Sequence, residues 1–253
     1  MIIYFSATGN TKYLAYTIAE GLGDKRIISI ETLINKGIYN LELHKGESLG
    51  IMCPTYTFGL PEIVKKYMTS AKINKEWQGY SYFVTTYGST YGCVCHFAKK
   101  YGRSMGIKFK GFFGVKMVDT WTPLFDVSDK KANKKIEKNF EPQVLEIYEK
   151  IERKMVVNLL GKGILTIFAP QAKLLYERLR KTNDFHVNDQ CNGCKLCEKK
   201  CPSKAIALKD GKPVWIKEKC NACLRCLHLC PQNAISKKNS MKNGQYTNPN
   251  IKI

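Results

Sequence analysis

The apolar positions of the first 157 residues fall into five short runs, with helical spacing between and after them. Residues 1–5 form an apolar run of strand length, and further strands are predicted at 26–30, 48–53, 80–86 and 109–118. Leu14, Ile18 and Leu22 keep helical spacing until Gly23 closes the turn. Ile136, Phe140, Val144, Ile147, Ile151 and Met155 do the same after the fifth run. Pro142 interrupts this last series and is expected to divide it into two helices.

The pattern changes beyond residue 157. Residues 158–184 read as a linker, in which Gly161-Lys162-Gly163 marks a hinge. Ile164, Leu165, Ile167, Phe168, Leu174, Leu175 and Leu179 then lie beside Lys173, Arg178, Arg180 and Lys181. A basic amphipathic helix of this kind docks one domain on another or lies on an anionic membrane. Docking is preferred here. Within residues 185–238, Asp210-Gly211 separates Ile206-Ala207-Leu208 from Val214-Trp215-Ile216 and predicts a hairpin. Residues 239–253 read as a polar, mobile tail.

Composition adds scale and sign. At 253 residues, 44% hydrophobic and 25% charged, the chain has room for two soluble domains. No transmembrane segment is expected, because no stretch of about 20 apolar residues occurs. The first residues carry no export signal, so a cytoplasmic location is expected. The net charge is +20, and residues 186–253 are its densest source, with 13 Lys and Arg against 4 Asp and Glu. Such an excess steers an acidic redox protein partner or simply keeps the surface solvated. No groove-reading motif accompanies it, so no specific nucleic acid is expected. Oligomeric state is not legible.

The cysteines supply the first specific chemistry. Cys191, Cys194, Cys197 and Cys201-Pro202 spell C-x2-C-x2-C-x3-C-P, and Cys220, Cys223, Cys226 and Cys230-Pro231 repeat it 29 residues later. This spacing houses 4Fe-4S clusters, because three thiolates from one tight loop reach one face of a cube and the fourth comes from elsewhere. Zinc would need four ligands in two pairs, which fits eight cysteines in this order poorly. The stretch at 185–238 resembles the bacterial two-cluster ferredoxins. In that pattern the fourth cysteine serves the other cluster, which assigns Cys191, Cys194, Cys197 and Cys230 to one cube and Cys220, Cys223, Cys226 and Cys201 to the second. Cys53, Cys93 and Cys95 remain as thiols, and four scattered histidines cannot build a di-iron site.

The second signal follows the first strand. Ser6-Ala7-Thr8-Gly9-Asn10-Thr11 places hydroxyls and one glycine at a helix N-terminus, where N–H groups and the helix dipole favour a phosphate. It lacks both the Gly-Lys-Ser/Thr ending of a Walker A loop and the G-x-G-x-x-G turn. The loop resembles the flavodoxin sequence (Thr/Ser)-x-Thr-Gly-Asn-Thr, which implies the phosphate of FMN. The resemblance also implies an α/β, flavodoxin-like doubly wound parallel five-stranded sheet of order 2-1-3-4-5 over 1–157, followed by a small α+β ferredoxin domain. Ligands in that order sit outside the switch point between the first and third strands. Pro54, Thr55, Tyr56, Thr57, Phe58 and Gly59 follow the third strand and are expected to flank the flavin ring. Thr86, Tyr87, Gly88 and Gly92, after the fourth, are expected on its other side.

The chain therefore resembles flavodoxin and ferredoxin fusion proteins of anaerobes. The implied cofactors are FMN and two 4Fe-4S clusters, whose negative charge offsets part of the lysine excess. A cubane passes single electrons and a flavin one or two, so the implied function is electron transfer that converts between them for a redox partner. The alternative is a ferredoxin-linked flavin reductase acting on a small acceptor. No catalytic side chain is assigned.

Overall fold

The structure is a computed structural model and describes residues 1–161 and 167–253. Lys162, Gly163, Ile164 and Leu165 of the expected hinge and apolar segment lie outside the described residues. The first half runs β1 (Ile2–Tyr4), α1 (Asn10–Leu22), β2 (Ile27–Ser29), α2 (Ile30–Asn35), β3 (Asn40–Leu41), β4 (Leu49–Pro54) and α3 (Glu62–Ser70). It continues through β5 (Lys72–Ile73), β6 (Ser81–Tyr87), α4 (Val94–Ser104), β7 (Gly111–Lys116), α5 (Lys130–Lys138), α6 (Phe140–Glu152) and β8 (Val157–Asn158).

The main sheet is parallel throughout, in the order β2-β1-β4-β6-β7-β8. Its first five strands follow the expected winding once the small β3/β5 pair is set aside. Alternation along β1 sends Ile2 and Tyr4 toward Leu14 and Ile18 of α1 and Val144, Ile147 and Ile151 of α6. Ile3 and Phe5 face the other way, into a core shared with Leu33 of α2, Val64 and Met68 of α3 and Phe97 of α4. Both faces are covered, which is why the strands read as apolar runs.

Two details differ from the sequence reading. The sheet has six strands rather than five, because β8 pairs with Gly111 and Phe112 at the edge. A two-residue strand has no periodicity to detect, and backbone bonds from Val157 to Lys110 and from Leu159 to Phe112 hold it. The break between α5 and α6 falls at Asn139, not Pro142. Pro142 sits in the first turn of α6, where its missing N–H would have no helical partner anyway.

The second half comprises α7 (Ala169–Leu179), β9 (Phe185–Val187), α8 (Leu196–Lys199), β10 (Ile206–Lys209), β11 (Lys212–Trp215), α9 (Arg225–His228) and β12 (Ile235–Lys237), then a 3-10 turn at Ser240–Asn243. β10 and β11 form the expected hairpin, with Asp210 (φ 49) and Gly211 (φ 76) both left-handed at its tip. The repeat is visible in the backbone. Left-handed residues Gly193, Lys195 and Lys204 correspond to Ala222, Leu224 and Asn233.

Helix α7 docks the halves together, though not through the leucines. Ala169, Ala172 and Tyr176 are its buried residues, while Leu174 and Leu175 are exposed. The Tyr176 hydroxyl accepts from Glu62 N (3.1 Å) and donates to Asn221 O (2.9 Å), touching one half with each bond. Arg180 adds a bond to Cys220 O (2.8 Å) and a contact with Glu62 (3.5 Å). The expected mobile tail is instead packed. Tyr246 and Asn248 are 7% and 3% exposed, since their polar atoms serve buried backbone and side-chain groups that water cannot reach.

Tyr176→Phe keeps the ring and strands both of its partners. A loss of about 1–3 kcal/mol in denaturant unfolding is expected; an unchanged midpoint would show that the ring alone does the docking.

Candidate functional site

The carboxyl ends of β1, β4, β6 and β7 open on one side of the sheet, and a cavity of about 450 Å³ lies there. Ser6, Ala7, Thr8, Asn10 and Thr11 form its floor at the start of α1. Gly9 lies behind them with φ 101, a conformation that favours glycine, and its carbonyl accepts the first helical bond from Tyr13. Thr11 Oγ1 lies 2.8 Å from Thr86 Oγ1, and Thr55 Oγ1 lies 2.8 Å from Thr85 Oγ1, so hydroxyls tie the start of α1 and the end of β4 to β6.

Pro54, Thr55, Tyr56, Thr57 and Phe58 line one side of the cavity, and Thr86, Tyr87 and Gly88 another. Gly59 and Gly92 do not line it but shape it. Gly59 closes a tight turn with Tyr56, and Gly92 (φ 51) packs against the backbone of Phe58, where a Cβ would come within 2.7 Å of Phe58 Cα. Thr57 (φ 46) and Phe58 (φ 65) are both left-handed, which is costly for a β-branched and an aromatic residue. The paired bonds of Tyr56 with Gly59 and the Cys93 N–H donated to Phe58 O (2.7 Å) hold them there. Phe58 is thereby left 40% exposed at the cavity.

A third wall was not anticipated. Met117, Val118, Asp119, Thr120 and Trp121 follow β7, with Leu124 and Phe125 beyond. The signal was present, an aromatic on a proline-bearing loop at a strand's carboxyl end, the same that marked residues 54–59. Leu175, Tyr176 and Leu179 of α7 and Ala222 and Cys223 of the second half complete the enclosure. Sequence could not place these, since only tertiary docking brings them across. The residues present suit a flat, anion-bearing group: hydroxyls and a helix N-terminus at one end, Tyr56, Phe58, Tyr87 and Trp121 at the other.

The cysteines form two sets. Cys191, Cys194, Cys197 and Cys230 surround one small void. Cys201, Cys220, Cys223 and Cys226 lie close enough to influence one another's ionisation. The Sγ atoms of Cys201 and Cys230 accept from Ala205 N (3.4 Å) and Ala234 N (3.3 Å), the same bond in each copy of the repeat. Burial pushes Cys223 up to about 12 and Cys197 up to about 11. Among the described residues no three His, Cys, Asp or Glu converge tightly enough for one metal ion. Thiols around a cage of several irons stand farther apart than thiols on a single zinc. Cys53, Cys93 and Cys95 are buried in the sheet's core, and burial raises each thiol, which is the behaviour of packing groups.

Residues 190–241 match the family model described as a 4Fe-4S dicluster domain. With the winding of the sheet, that decides the architecture. The chain joins a flavodoxin-like unit to a ferredoxin-like one. Among solved structures it is similar to a flavodoxin from the domain Archaea, at 16% identity over 60% of this chain and 96% of that one, with a TM-score of 0.33. It is similar also to the rubredoxin oxygen:oxidoreductase of the anaerobe Desulfovibrio gigas, at 15% identity over 59% of this chain and 36% of that one (TM-score 0.34). A third is the Trp repressor binding protein from Bacillus subtilis, at 15% identity over 56% and 95% (TM-score 0.33). No match was found among curated proteins. Among the described residues no helix is long and apolar enough to cross a membrane.

The flavodoxin-like and ferredoxin-like units meet at Arg225, which lies between Cys223 and Cys226 and is 5% exposed. Its guanidinium donates to Ser6 O (2.6 Å), Ala7 O (3.1 Å) and Lys200 O (3.0 Å), and it forks onto Glu31 at 2.5 and 2.7 Å. Neither Arg225 nor Glu31 was singled out from sequence. An arginine inside a cysteine run was the available hint.

Gly88 faces Asp119, and a Cβ there would stand 2.2 Å from Asp119 Cβ. Gly88→Ala is therefore expected to displace the Trp121 wall, shifting tryptophan emission and costing about 1–3 kcal/mol in unfolding. An unaltered spectrum and midpoint would show the wall to be pliant.

Proposed function

We propose that the chain is an electron-transfer protein that binds FMN noncovalently in the cavity between its units and carries two 4Fe-4S clusters. Cys191, Cys194, Cys197 and Cys230 hold the outer cluster, and Cys220, Cys223, Cys226 and Cys201 the inner. Residues 6–11 hold the flavin phosphate, with Tyr56, Phe58, Tyr87 and Trp121 about the ring. The observation that carries the reading is that Cys223 lines the same cavity as the 6–11 loop. A ligand of the inner cluster thus borders the flavin.

Cys194 is exposed whereas Cys220 is buried, so the outer cluster is the side open to a partner. Lys195, Lys199, Lys200, Lys209 and Lys212 lie in the sequence around it, and the partner they favour is an acidic redox protein. Bound cubanes pass single electrons and a bound flavin one or two, which makes the pair a converter between the two kinds of step. The protein's own part is to set distance, exclude water and orient. The cytoplasm suits these reduced thiols.

A second reading has one observation behind it. The cavity extends to Leu124, 72% exposed, and to Phe125, Leu175 and Leu179. Such an apolar porch beside a flavin would admit a small acceptor, making the protein a reductase.

Anaerobic purification with metal, sulfide and flavin quantitation tests the proposal. About eight irons and one FMN per chain are expected; zinc in their place, or iron with no FMN taken up, would overturn it. Cys194→Ser and Cys223→Ser should each lose about four irons. Only Cys223→Ser should also change the absorption of the bound flavin, since only that residue borders it. Rapid oxidation of the reduced protein by a small acceptor would favour the reductase.

A further inference from the structure

We propose that the ferredoxin-like unit is a working part of the flavin-phosphate site, holding the 6–11 loop in its binding shape, so that cluster loading and FMN binding strengthen one another. The inference rests on the FMN reading above and deepens it.

Three consecutive carbonyls of the loop are bound from the far side. Arg225 Nη2 donates to Ser6 O (2.6 Å), Arg225 Nε to Ala7 O (3.1 Å), and Asn248 N to Thr8 O (2.8 Å). Because a peptide unit is planar, fixing a carbonyl fixes the next residue's N–H in the opposite direction. The N–H groups of Ala7 and Thr8 are set this way, while that of Gly9 is donated to Ser6 Oγ (3.2 Å). A phosphate loop whose N–H groups are already oriented binds its anion without the cost of ordering them.

The tail reinforces the same loop. Asn248 Nδ2 donates to Asn10 Oδ1 (3.1 Å), while Asn10 Nδ2 donates to Val118 O (3.2 Å). Asn248 also closes over Gly9, where any Cβ would come within 2.9 Å of its own. Lys12 Nζ reaches Lys252 O (2.6 Å) at the end of the strap. The tail is in turn anchored to the inner cysteine run: Tyr246 N donates to His228 Nδ1 (3.1 Å), and Gln245 Nε2 bonds to Leu227 O (2.5 Å) and Cys230 O (2.8 Å). Both supports of the loop, Arg225 and Asn248, are therefore tied to residues 223–230. Cysteine runs of this kind are ordered by the metal they hold. Clusters that order residues 223–230 order the supports, and by reciprocity bound FMN favours retention of the clusters at equilibrium.

The test uses the full anaerobically loaded chain and equilibrium dialysis of FMN and of riboflavin, which lacks the phosphate. A chain stopped after Thr247, which removes both bonds of Asn248 and keeps Gln245 and Tyr246, is compared with Arg225→Lys and wild type at measured iron content. In the shortened chain, iron content should be unchanged, FMN binding about tenfold weaker and riboflavin binding altered by less than about twofold. In wild type titrated with a chelator, saturating FMN should raise the chelator concentration at which half the iron is lost, and riboflavin should not. If Arg225→Lys loses iron, the shortened chain still decides the question. Equal FMN-to-riboflavin affinity ratios in the shortened chain and wild type, or a chelator midpoint indifferent to FMN, would overturn the inference while leaving the FMN reading intact. Failure of wild type to bind FMN would sink both and is recognised before any variant is made.

Discussion

A charged group sealed away from water is tolerable only when every hydrogen on it finds an acceptor, and Arg225 meets that condition across a domain boundary. Its five N–H donors meet two carboxylate oxygens of Glu31 and three carbonyls, two from the loop at residues 6–11 and one from Lys200. Removing one partner of such a buried pair strands the other at a cost of about 3–5 kcal/mol. The geometry admits little sliding of one unit on the other. What the pair contributes is orientation more than stability, since an apolar contact of similar size could stabilise equally well. The cavity, with Cys223 on one wall and residues 6–8 on another, keeps its shape because this contact has essentially one arrangement.

The repeated cysteine run shows how the orientation is written. α8 and α9 share their length, their left-handed entry and their place between cysteines. Their side chains have diverged. Leu196, Glu198 and Lys199 of α8 are not buried, whereas Arg225, Leu227 and His228 at the corresponding places of α9 are. His228, held between Thr120 O and Tyr246 N, is lowered to about 4 by burial and stays neutral. One backbone motif is thus used twice, once facing solvent and once facing the flavodoxin-like unit. The difference in environment follows from three side chains.

Much of this was legible in sequence where a local rule governs. The cysteine spacing, the loop at residues 6–11 and the hairpin at Asp210-Gly211 depend on neighbours in the chain, and the winding of five strands followed from the resemblance that the loop carries. Legibility fails where a distant contact decides. Val157 and Asn158 are a strand only because β7 has a free edge. Residues 245–248 are polar, as a solvated tail would be, yet their polar groups serve buried acceptors on another unit. Leu174 and Leu175 looked like the docking face of α7, but Tyr176 docks it, because a ring with a hydroxyl fills space and bonds to both neighbours at once. The wall at Trp121 carries a readable signal, an aromatic two residues before Pro123, but no specific motif.

Helix α7 carries a consequence for how the chain could be divided. Glu177, Arg180 and Lys219 form an ion cluster with Glu62, and Tyr176 sits in its centre, so each unit's surface at this seam is finished by atoms of the other. The architecture looks like two cassettes spliced end to end, but neither could now be lifted out and grafted elsewhere without leaving raw edges.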